Sequence, residues 1–234
     1  MWFVVITLLF GAFNARAASG FRMSLAELEN EFFDSLNQAM NANLQKRMSN
    51  KSDYSLNGVS VASGCQIFID ANARLGDQGA YTINEIVLHS SEYPSLLADS
   101  ALNEQCPNYR NLEVQQRAQL IALLLTAMAH FESSCRLSAV NPDAPNGTAR
   151  GFFQLHQGHE NEYDGRSDSC SRNASLDAEE SIDCALGMLN LQFARSGLLF
   201  DPGSYWDVLR PKGEAQSTAA IGQALGRTGL CRLQ

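Results

Sequence analysis

The sequence predicts a mainly α-helical domain, and three observations carry this prediction. The stretch 113–134 is apolar on nearly every face after Ala118, which is typical of a helix surrounded by protein. A second helix is expected over 175–197, with Ser175 as its N-cap and Gly197 as its C-terminal stop. Across residues 66–110 the alternation of apolar and polar residues that strands require is weak. Strands are therefore expected to be few.

The flanking segments are expected to be helical as well. Across residues 66–110 the pattern is mixed, and short helices are predicted over 83–93 and 94–102. Near the C-terminus the stretch 215–225 (AQSTAAIGQAL) predicts another short helix. We take residues 62–234 as the main domain, a length that suffices for one sizeable hydrophobic core.

The first 61 residues are expected to lie outside the main domain. Residues 1–17 form a short apolar run that ends in an Ala-Arg-Ala site, the pattern of a cleaved signal peptide. This run is too short to cross a bilayer, which needs roughly 20 apolar residues. Residues 18–61 predict an amphipathic helix, begun by a capping box of Ser24 and Glu27, and then a linker. The linker or surface loop is the Ser-, Gly- and Asn-rich stretch 51–64.

The cysteine count indicates the cellular compartment, and the net charge limits the classes of binding partner. Six cysteines, an even number, fit a secreted or periplasmic protein with one to three disulfides, whose pairing the sequence leaves open. A formal net charge of −8 argues against nucleic acid as a partner, since neutralising phosphates takes a basic face. It also gives no support for adsorption to an anionic membrane. We expect a monomer.

Glu132 is the candidate catalytic residue. It ends the most apolar helix, directly after Phe131, where the helix is expected to meet a surface cleft. Apolar surroundings and the negative end of a helix both favour a protonated carboxyl group. Cleavage of a glycosidic bond needs such an acid near neutral pH. Position alone also fits an ordinary polar residue at a helix end.

Two neighbouring segments give this glutamate a context. The run AHFESS (129–134) is followed, after a polar loop, by ARGFFQL (149–155). The pair resembles the soluble lytic transglycosylase and goose-type lysozyme group, in which a Glu-Ser pair closes a buried helix before a Gly-Leu-Met-Gln-like motif. The resemblance covers about residues 120–200. It implies a lysozyme-like fold that cleaves the β-1,4 bond between muramyl and glucosaminyl units of peptidoglycan glycan strands, without a cofactor.

The resemblance also implies roles for individual residues. Glu132 is implied as the catalytic acid, and Ser133 as the residue that orients it or the substrate. Gly151 is implied to let the backbone approach the sugar closely. Gln154 is implied to hydrogen-bond near the acid or the glycan.

The chain departs from the family pattern at two places. Phe152 and Phe153 stand where Leu and Met are usual, which predicts a larger apolar wall for the substrate. The Ala-Tyr-Asn-like motif that supplies a tyrosine to the cleft is not evident. Tyr205 is the nearest candidate for that tyrosine, and Tyr163 is a weaker one.

The identity of the product depends on a second carboxylate. A lytic transglycosylase-like site uses one glutamate and forms a 1,6-anhydro sugar, whereas an inverting hydrolase holds a water on a second carboxylate. An acidic cleft would favour a cationic glycan, such as one with free amines. Candidates for the second carboxylate are Asp143, Glu160, Glu162, Asp164 and Asp168.

Three alternatives remain open from the residues alone. The segment HQGHENE (156–162) contains two histidines and carboxylates that can bind zinc, although its spacing is not that of a known zinc motif. Cys135, near His130 or His156, fits a nucleophile of a cell-wall cysteine peptidase. A non-catalytic glycan-binding module is the third, with Phe152, Phe153 and Trp206 stacking on sugars.

Overall fold

The computed structural model describes residues 53–163, 170–211 and 215–232. Across these residues the architecture is mainly helical, which confirms the predicted fold class. The signal peptide and the N-terminal amphipathic helix predicted from the sequence lie outside the described residues. The described α-helices are α1 (Asp77–Leu88), α2 (Val114–Ser133), α3 (Glu160–Tyr163), α4 (Ala178–Ser196) and α5 (Ala215–Gly226).

Helix α2 is the centre of the domain, as its apolar composition predicted. Both α1 and α5 pack against it, and α4 packs against α1. The helix begins with a reciprocal capping box, in which the side chains of Glu113 and Gln116 each accept a hydrogen bond from the backbone N–H of the other residue. It ends where Ser134 takes a left-handed conformation with φ 54°. The C-terminal end of α2 is therefore fixed in place, and Glu132 lies in its last turn.

Helix α4 begins two residues later than a Ser175 cap would place it. Asp177 is the N-cap, and its carboxylate accepts hydrogen bonds from the backbone N–H groups of Glu179 and Glu180 at 2.9 and 3.1 Å. Ser175 lies instead in a 3-10 turn, Ala174–Leu176. The predicted stop is confirmed, because Gly197 has φ 69° at the C-terminal end.

The stretch predicted as a linker contains a β-hairpin. Strands β1 (Tyr54–Leu56) and β2 (Val59–Val61) pair antiparallel, and Leu56, Val59 and Val61 are buried. The turn is Asn57-Gly58, both with positive φ, the conformation that favours this dipeptide in two-residue hairpins. Its composition resembled a loop, but the Asn-Gly pair between alternating apolar residues was the signal of a hairpin.

A three-stranded antiparallel sheet of two-residue strands follows α2. Its order is β3 (Val140–Asn141), β4 (Ala149–Arg150) and β5 (Leu155–His156). Such short strands leave almost no alternation to detect, which explains why the sequence predicted no strands here. The turn between β4 and β5 carries the residues of the second motif.

The short helices were predicted with mixed success. Helix α1 begins at Asp77, earlier than the predicted 83–93, and a 3-10 turn (Ser90–Glu92) follows it. Turns occupy most of the stretch 94–102 where a helix was expected. The predicted C-terminal helix is confirmed as α5.

Three disulfides join all six cysteines, which confirms the predicted use of disulfides. Because disulfides persist in oxidising compartments, they favour a location outside the cytoplasm. In the described ranges, no helix is both long and apolar enough to cross a membrane. The pairs are Cys65–Cys135, Cys106–Cys231 and Cys170–Cys184.

Candidate functional site

A groove with a cavity volume of about 720 Å³ lies at the C-terminal end of α2. Five parts of the chain form its walls: the end of α2, the loop between β3 and β4, strand β5, the C-terminal half of α4 and residues 203–210. A volume of this size is in the range of small-molecule binding sites. Glu132, Gln154 and Tyr205, three of the residues that the sequence singled out, line this groove.

Glu132 is half-buried and lies next to the last residue of α2. The chain turns away directly after it, since Ser134 and Cys135 both have positive φ. The disulfide from Cys135 to Cys65 holds that turn against the preceding 3-10 helix, Ser63–Ile67. The carboxyl group thus stands at the point where the central helix meets the groove.

Ser133 connects this helix end to the second motif. Its buried hydroxyl lies 2.9 Å from the carbonyl oxygen of Phe152 and 3.0 Å from that of Ala129, and it can donate to either. It also accepts a hydrogen bond from the backbone N–H of Arg136. Ser133 does not line the groove. Its contacts hold the 151–154 turn beside Glu132, so it can orient the acid's surroundings but not contact the substrate.

Gly151 is required by packing within the protein. Its φ is 76°, and a Cβ atom on it would lie 2.3 Å from the carbonyl oxygen of Ser175. The backbone that approaches Gly151 closely is therefore the chain before α4, and not a sugar as the resemblance implied. This packing aims the turn so that Gln154, also at positive φ, lines the groove.

The expected wall of Phe152 and Phe153 is wrong for the groove. Their side chains are 3% and 0% exposed and pack edge-on against Phe68. Two large apolar side chains gain several kcal/mol from burial in the core, which decides their direction. Trp206, 2% exposed, donates its indole N–H to the carbonyl oxygen of Phe153, so it cannot stack openly on a sugar either.

Tyr205, the candidate for a tyrosine in the cleft, lines the groove. Its hydroxyl group lies 3.1 Å from the carbonyl oxygen of Gln154, to which it donates. It also accepts from the backbone N–H of His156 and lies 3.1 Å from the Nδ1 atom of that ring. These contacts join strand β5 to the opposite wall of the groove. The side chain of Tyr163, the weaker candidate, lies outside what the structure describes.

The tertiary structure adds groove residues that the sequence did not assign to a site. They include Asn141, Arg195, Ser204, Asp207 and Arg210, and the groove also holds His156, which the sequence offered only as a zinc ligand or a partner of Cys135. Burial, and secondarily the charge of His159, lower the pKa of His156, while Glu160 opposes this shift. His156 is therefore neutral at neutral pH. Only proximity in the fold brings these residues together, because they come from four separate stretches of the chain.

The five candidate second carboxylates do not gather at the groove. Asp143 and Glu162 are exposed and absent from its walls, and Glu162 contacts His159 at 2.8 Å. Glu160 is fully buried and accepts hydrogen bonds from Ser175 and the backbone N–H of Gly158. The remaining two candidates, Asp164 and Asp168, lie outside the described residues.

The charges around the groove balance among the residues that the structure describes. Glu132 and Asp207 are its acidic side chains, and Arg195 and Arg210 are its basic ones. The negative charge of the whole chain is therefore not concentrated there, so net charge was a poor guide to the cleft.

Two alternative chemistries lose their support. Cys135 is in a disulfide, so the hypothesis of a cysteine nucleophile is wrong. His130, its proposed partner, instead accepts a hydrogen bond from the backbone N–H of Ala62 at Nδ1. The zinc hypothesis needs both histidines and a carboxylate of 156–162, but His156 contacts Tyr205, Glu160 accepts from Ser175, and His159 pairs with Glu162. No group of three or more possible metal-binding side chains occurs within 53–163, 170–211 and 215–232.

The fold and the groove define a mainly α-helical protein with a candidate acid at the end of its central helix. No family model matches the sequence, and no curated protein matches it either. Among solved structures, the fold is similar to that of DslA (Bd0314), a Bdellovibrio protein. Wild-type DslA aligns at 24% identity over 67% of this chain and 91% of that chain, with a TM-score of 0.53. A glutamate-to-glutamine variant of DslA aligns over the same shares with a TM-score of 0.54. At this identity the similarity shows a shared fold.

Proposed function

We propose that this protein cleaves peptidoglycan glycan strands at the β-1,4 bond between muramyl and glucosaminyl units. The observation that carries the proposal is the position of Glu132, half-buried at the end of an apolar helix and lining a groove with Gln154 and Tyr205. The resemblance around 129–134 and 149–155 supports the same reading. The three disulfides agree with a secreted or periplasmic protein that would meet this polymer.

In this proposal Glu132 acts first as an acid. Its proton passes to the glycosidic oxygen as the bond to the anomeric carbon breaks, and that oxygen keeps the bonding electron pair. In the transglycosylase-like route the resulting carboxylate then removes a proton from the sugar's own hydroxyl, which attacks the anomeric carbon. In the hydrolase route a second carboxylate removes the proton from an attacking water. Water gives a reducing end, and the sugar's own hydroxyl gives a 1,6-anhydro end.

The choice between these products turns on a second carboxylate. Asp207 is the other acidic side chain that lines the described part of the groove. Its side chain is 56% exposed and lies 3.5 Å from Arg210, so it is accessible to a bound water. Mass spectrometry of the released fragments distinguishes the two routes, because the two kinds of end differ by one water.

The variant Glu132→Gln tests the assignment of the acid. We expect the variant to bind purified peptidoglycan as the wild type does but to lose turnover by roughly 10²–10⁴-fold, the contribution typical of a general acid. The measurement is the release of soluble fragments over time. Glu162→Gln is the matched control, since Glu162 is exposed and does not line the groove.

The same assay separates this proposal from a glycan-binding module on a similar fold. If the wild-type protein binds peptidoglycan and releases no fragments, the proposed activity is wrong and the binding module takes its place. Parallel digestions of native and de-N-acetylated peptidoglycan test the preference for free amines that the net charge predicted, although the charges lining the described groove balance. Equal rates on both would remove that preference and leave the cleavage reaction intact.

A further inference from the structure

Two arginines lie on the groove wall formed by residues 195–210. Arg195 comes from the last turn of α4, and Arg210 follows the 3-10 turn Asp207–Leu209. The chain has a formal net charge of −8, yet two arginines line this groove. No lysine lines the described part of it. Their position suggests that this wall binds a group different from the sugar at Glu132.

Backbone carbonyl groups hold both guanidinium groups against one segment. Arg195 donates from Nη2 to the carbonyl oxygen of Gly203 at 3.1 Å and to Asp201 at 3.0 Å. Arg210 donates from Nε to Ser204 and from Nη2 to Tyr205, at 2.8 and 3.2 Å. Three consecutive carbonyl groups thus fix the two arginines, and the side chain of Arg195 is 61% exposed and accessible to a ligand. Such preorganisation lowers the entropic cost of binding a ligand.

Ser204 provides an independent indication of a ligand. Ser204 is 1% exposed and lines the groove. It follows Gly203, whose carbonyl group binds Arg195, and its own carbonyl group binds Arg210. Among the described residues its Oγ atom has no hydrogen-bond partner. A buried hydroxyl group without a partner is costly, so a ligand atom that hydrogen-bonds to it would recover that cost.

Resting on the proposed function, we propose that Arg195, Arg210 and Ser204 form a subsite for the carboxylate of the muramyl substituent. Guanidinium groups match the planar geometry of a carboxylate, and the hydroxyl adds a third donor. The muramyl unit can supply a carboxylate in two ways. Its lactyl group carries one when unsubstituted, and a stem peptide attached to that group carries others.

Asp207 competes with such a ligand. Its carboxylate lies 3.5 Å from Nη1 of Arg210, and the two side chains are 56% and 43% exposed. An exposed pair at this distance contributes little stability and exchanges readily. Removing the charge of Asp207 therefore strengthens the binding of an anion and weakens the binding of a cation. The direction in which Kd changes thus shows which charge the ligand carries.

The test measures binding in a Glu132→Gln background, where the ligand is not turned over. Calorimetry gives Kd for three tetrasaccharides: peptide-bearing muramyl-glucosaminyl strands, the same strands stripped by an amidase, and N-acetylglucosamine tetramers without a carboxylate. We expect Arg195→Gln to weaken binding roughly tenfold for a carboxylate-bearing ligand and not for the tetramer. The stripped strands reveal whether the lactyl or the peptide carboxylate is bound.

Two further variants keep the test independent of folding. Ser204→Ala removes a hydroxyl that has no hydrogen-bond partner among residues 53–163, 170–211 and 215–232, and we expect it to weaken the same ligands several-fold. Asp207→Asn is expected to tighten them. Arg172→Gln is the matched control, because Arg172 is exposed and does not line the groove, and it should leave every Kd unchanged.

Some results would overturn the subsite. One is an equal loss of affinity by Arg195→Gln for the tetramer and for the carboxylate-bearing strands. The other is weaker binding of those strands by the Asp207→Asn variant. Either result leaves the proposed cleavage standing, because fragment release by the wild type is measured separately. Failure of all three ligands to bind would overturn the subsite, and absence of fragment release would overturn the proposed function.

Discussion

Gly151 illustrates how one residue sets the geometry beside the candidate acid. The missing Cβ atom lets the chain before α4 pass at a distance that no other residue permits. Ser133 holds the same turn from the side of α2, through the carbonyl oxygen of Phe152. Among the residues proposed for the site, Glu132 and Gln154 were predictable because both belong to the two sequence motifs and both line the groove. Phe152 and Phe153 were not, since an apolar side chain in a motif fits a wall and a core equally well.

Replacing Gly151 with alanine tests this packing. We expect Gly151→Ala to lower the free energy of unfolding by about 2 kcal/mol or more beyond the cost of positive φ alone. Gly158→Ala is the matched control, because Gly158 has a similar φ of 83° and open space around its missing Cβ atom. Denaturant unfolding of both variants measures the difference. Equal losses would show that Ser175 moves away without cost.

At the scale of elements, a carboxyl group lies between α1 and α4. Tyr81 on α1 donates its hydroxyl hydrogen to Asp183 on α4, with 2.9 Å to each carboxylate oxygen. Burial, with the charges of Glu85 and Glu179 adding to it, raises the pKa of Asp183 to about 6, although the hydrogen bond from Tyr81 opposes the shift. Between about pH 4 and pH 6 the folded state therefore binds more protons than the unfolded state. The free energy of unfolding falls as pH rises through this window.

The variant Asp183→Asn removes this penalty while keeping an acceptor for Tyr81. We expect it to be more stable than the wild type by about 1 kcal/mol at pH 7, after allowing for solvent screening of a half-exposed group. The difference should shrink as pH falls from about 6 to about 4 and vanish below that, where the wild-type carboxyl is protonated in both states. Thermal unfolding at a series of pH values measures it. A difference that grows in acid would contradict the assignment.

The elements themselves were predictable in proportion to their length. Helix α2 was expected from its apolar composition, α4 from its cap and stop signals such as Gly197, and α5 from the stretch 215–225. The β1–β2 hairpin was interpreted as a linker because its polar composition outweighed the Asn57-Gly58 signal. Strands β3 to β5 have two residues each, too few for alternation to reveal.

At the scale of the whole molecule, the disulfides close loops of very different length. Cys106 and Cys231 are 125 residues apart, whereas Cys170 and Cys184 are 14 apart. In the chain-entropy model a cross-link stabilises more when the loop that it closes is longer.

Removing each disulfide by a double Cys→Ala change tests this expectation. We expect loss of Cys106–Cys231 to lower the free energy of unfolding by about 2 kcal/mol more than loss of Cys170–Cys184. Denaturant unfolding of the two double variants gives the comparison. An equal or reversed order would mean that local packing around each pair outweighs loop entropy.

The sequence by itself determined the mainly helical class, the buried central helix, the use of disulfides and the position of Glu132 at that helix's end. These follow from local pattern, because a helix and its caps are specified by residues close together in the chain. Only the tertiary structure decided the cysteine pairing, the burial of Phe152 and Phe153, and the meeting of Arg195, Ser204 and Arg210 at one wall. Those outcomes depend on which distant segments compete for the same core space and contacts, and no local pattern encodes that competition.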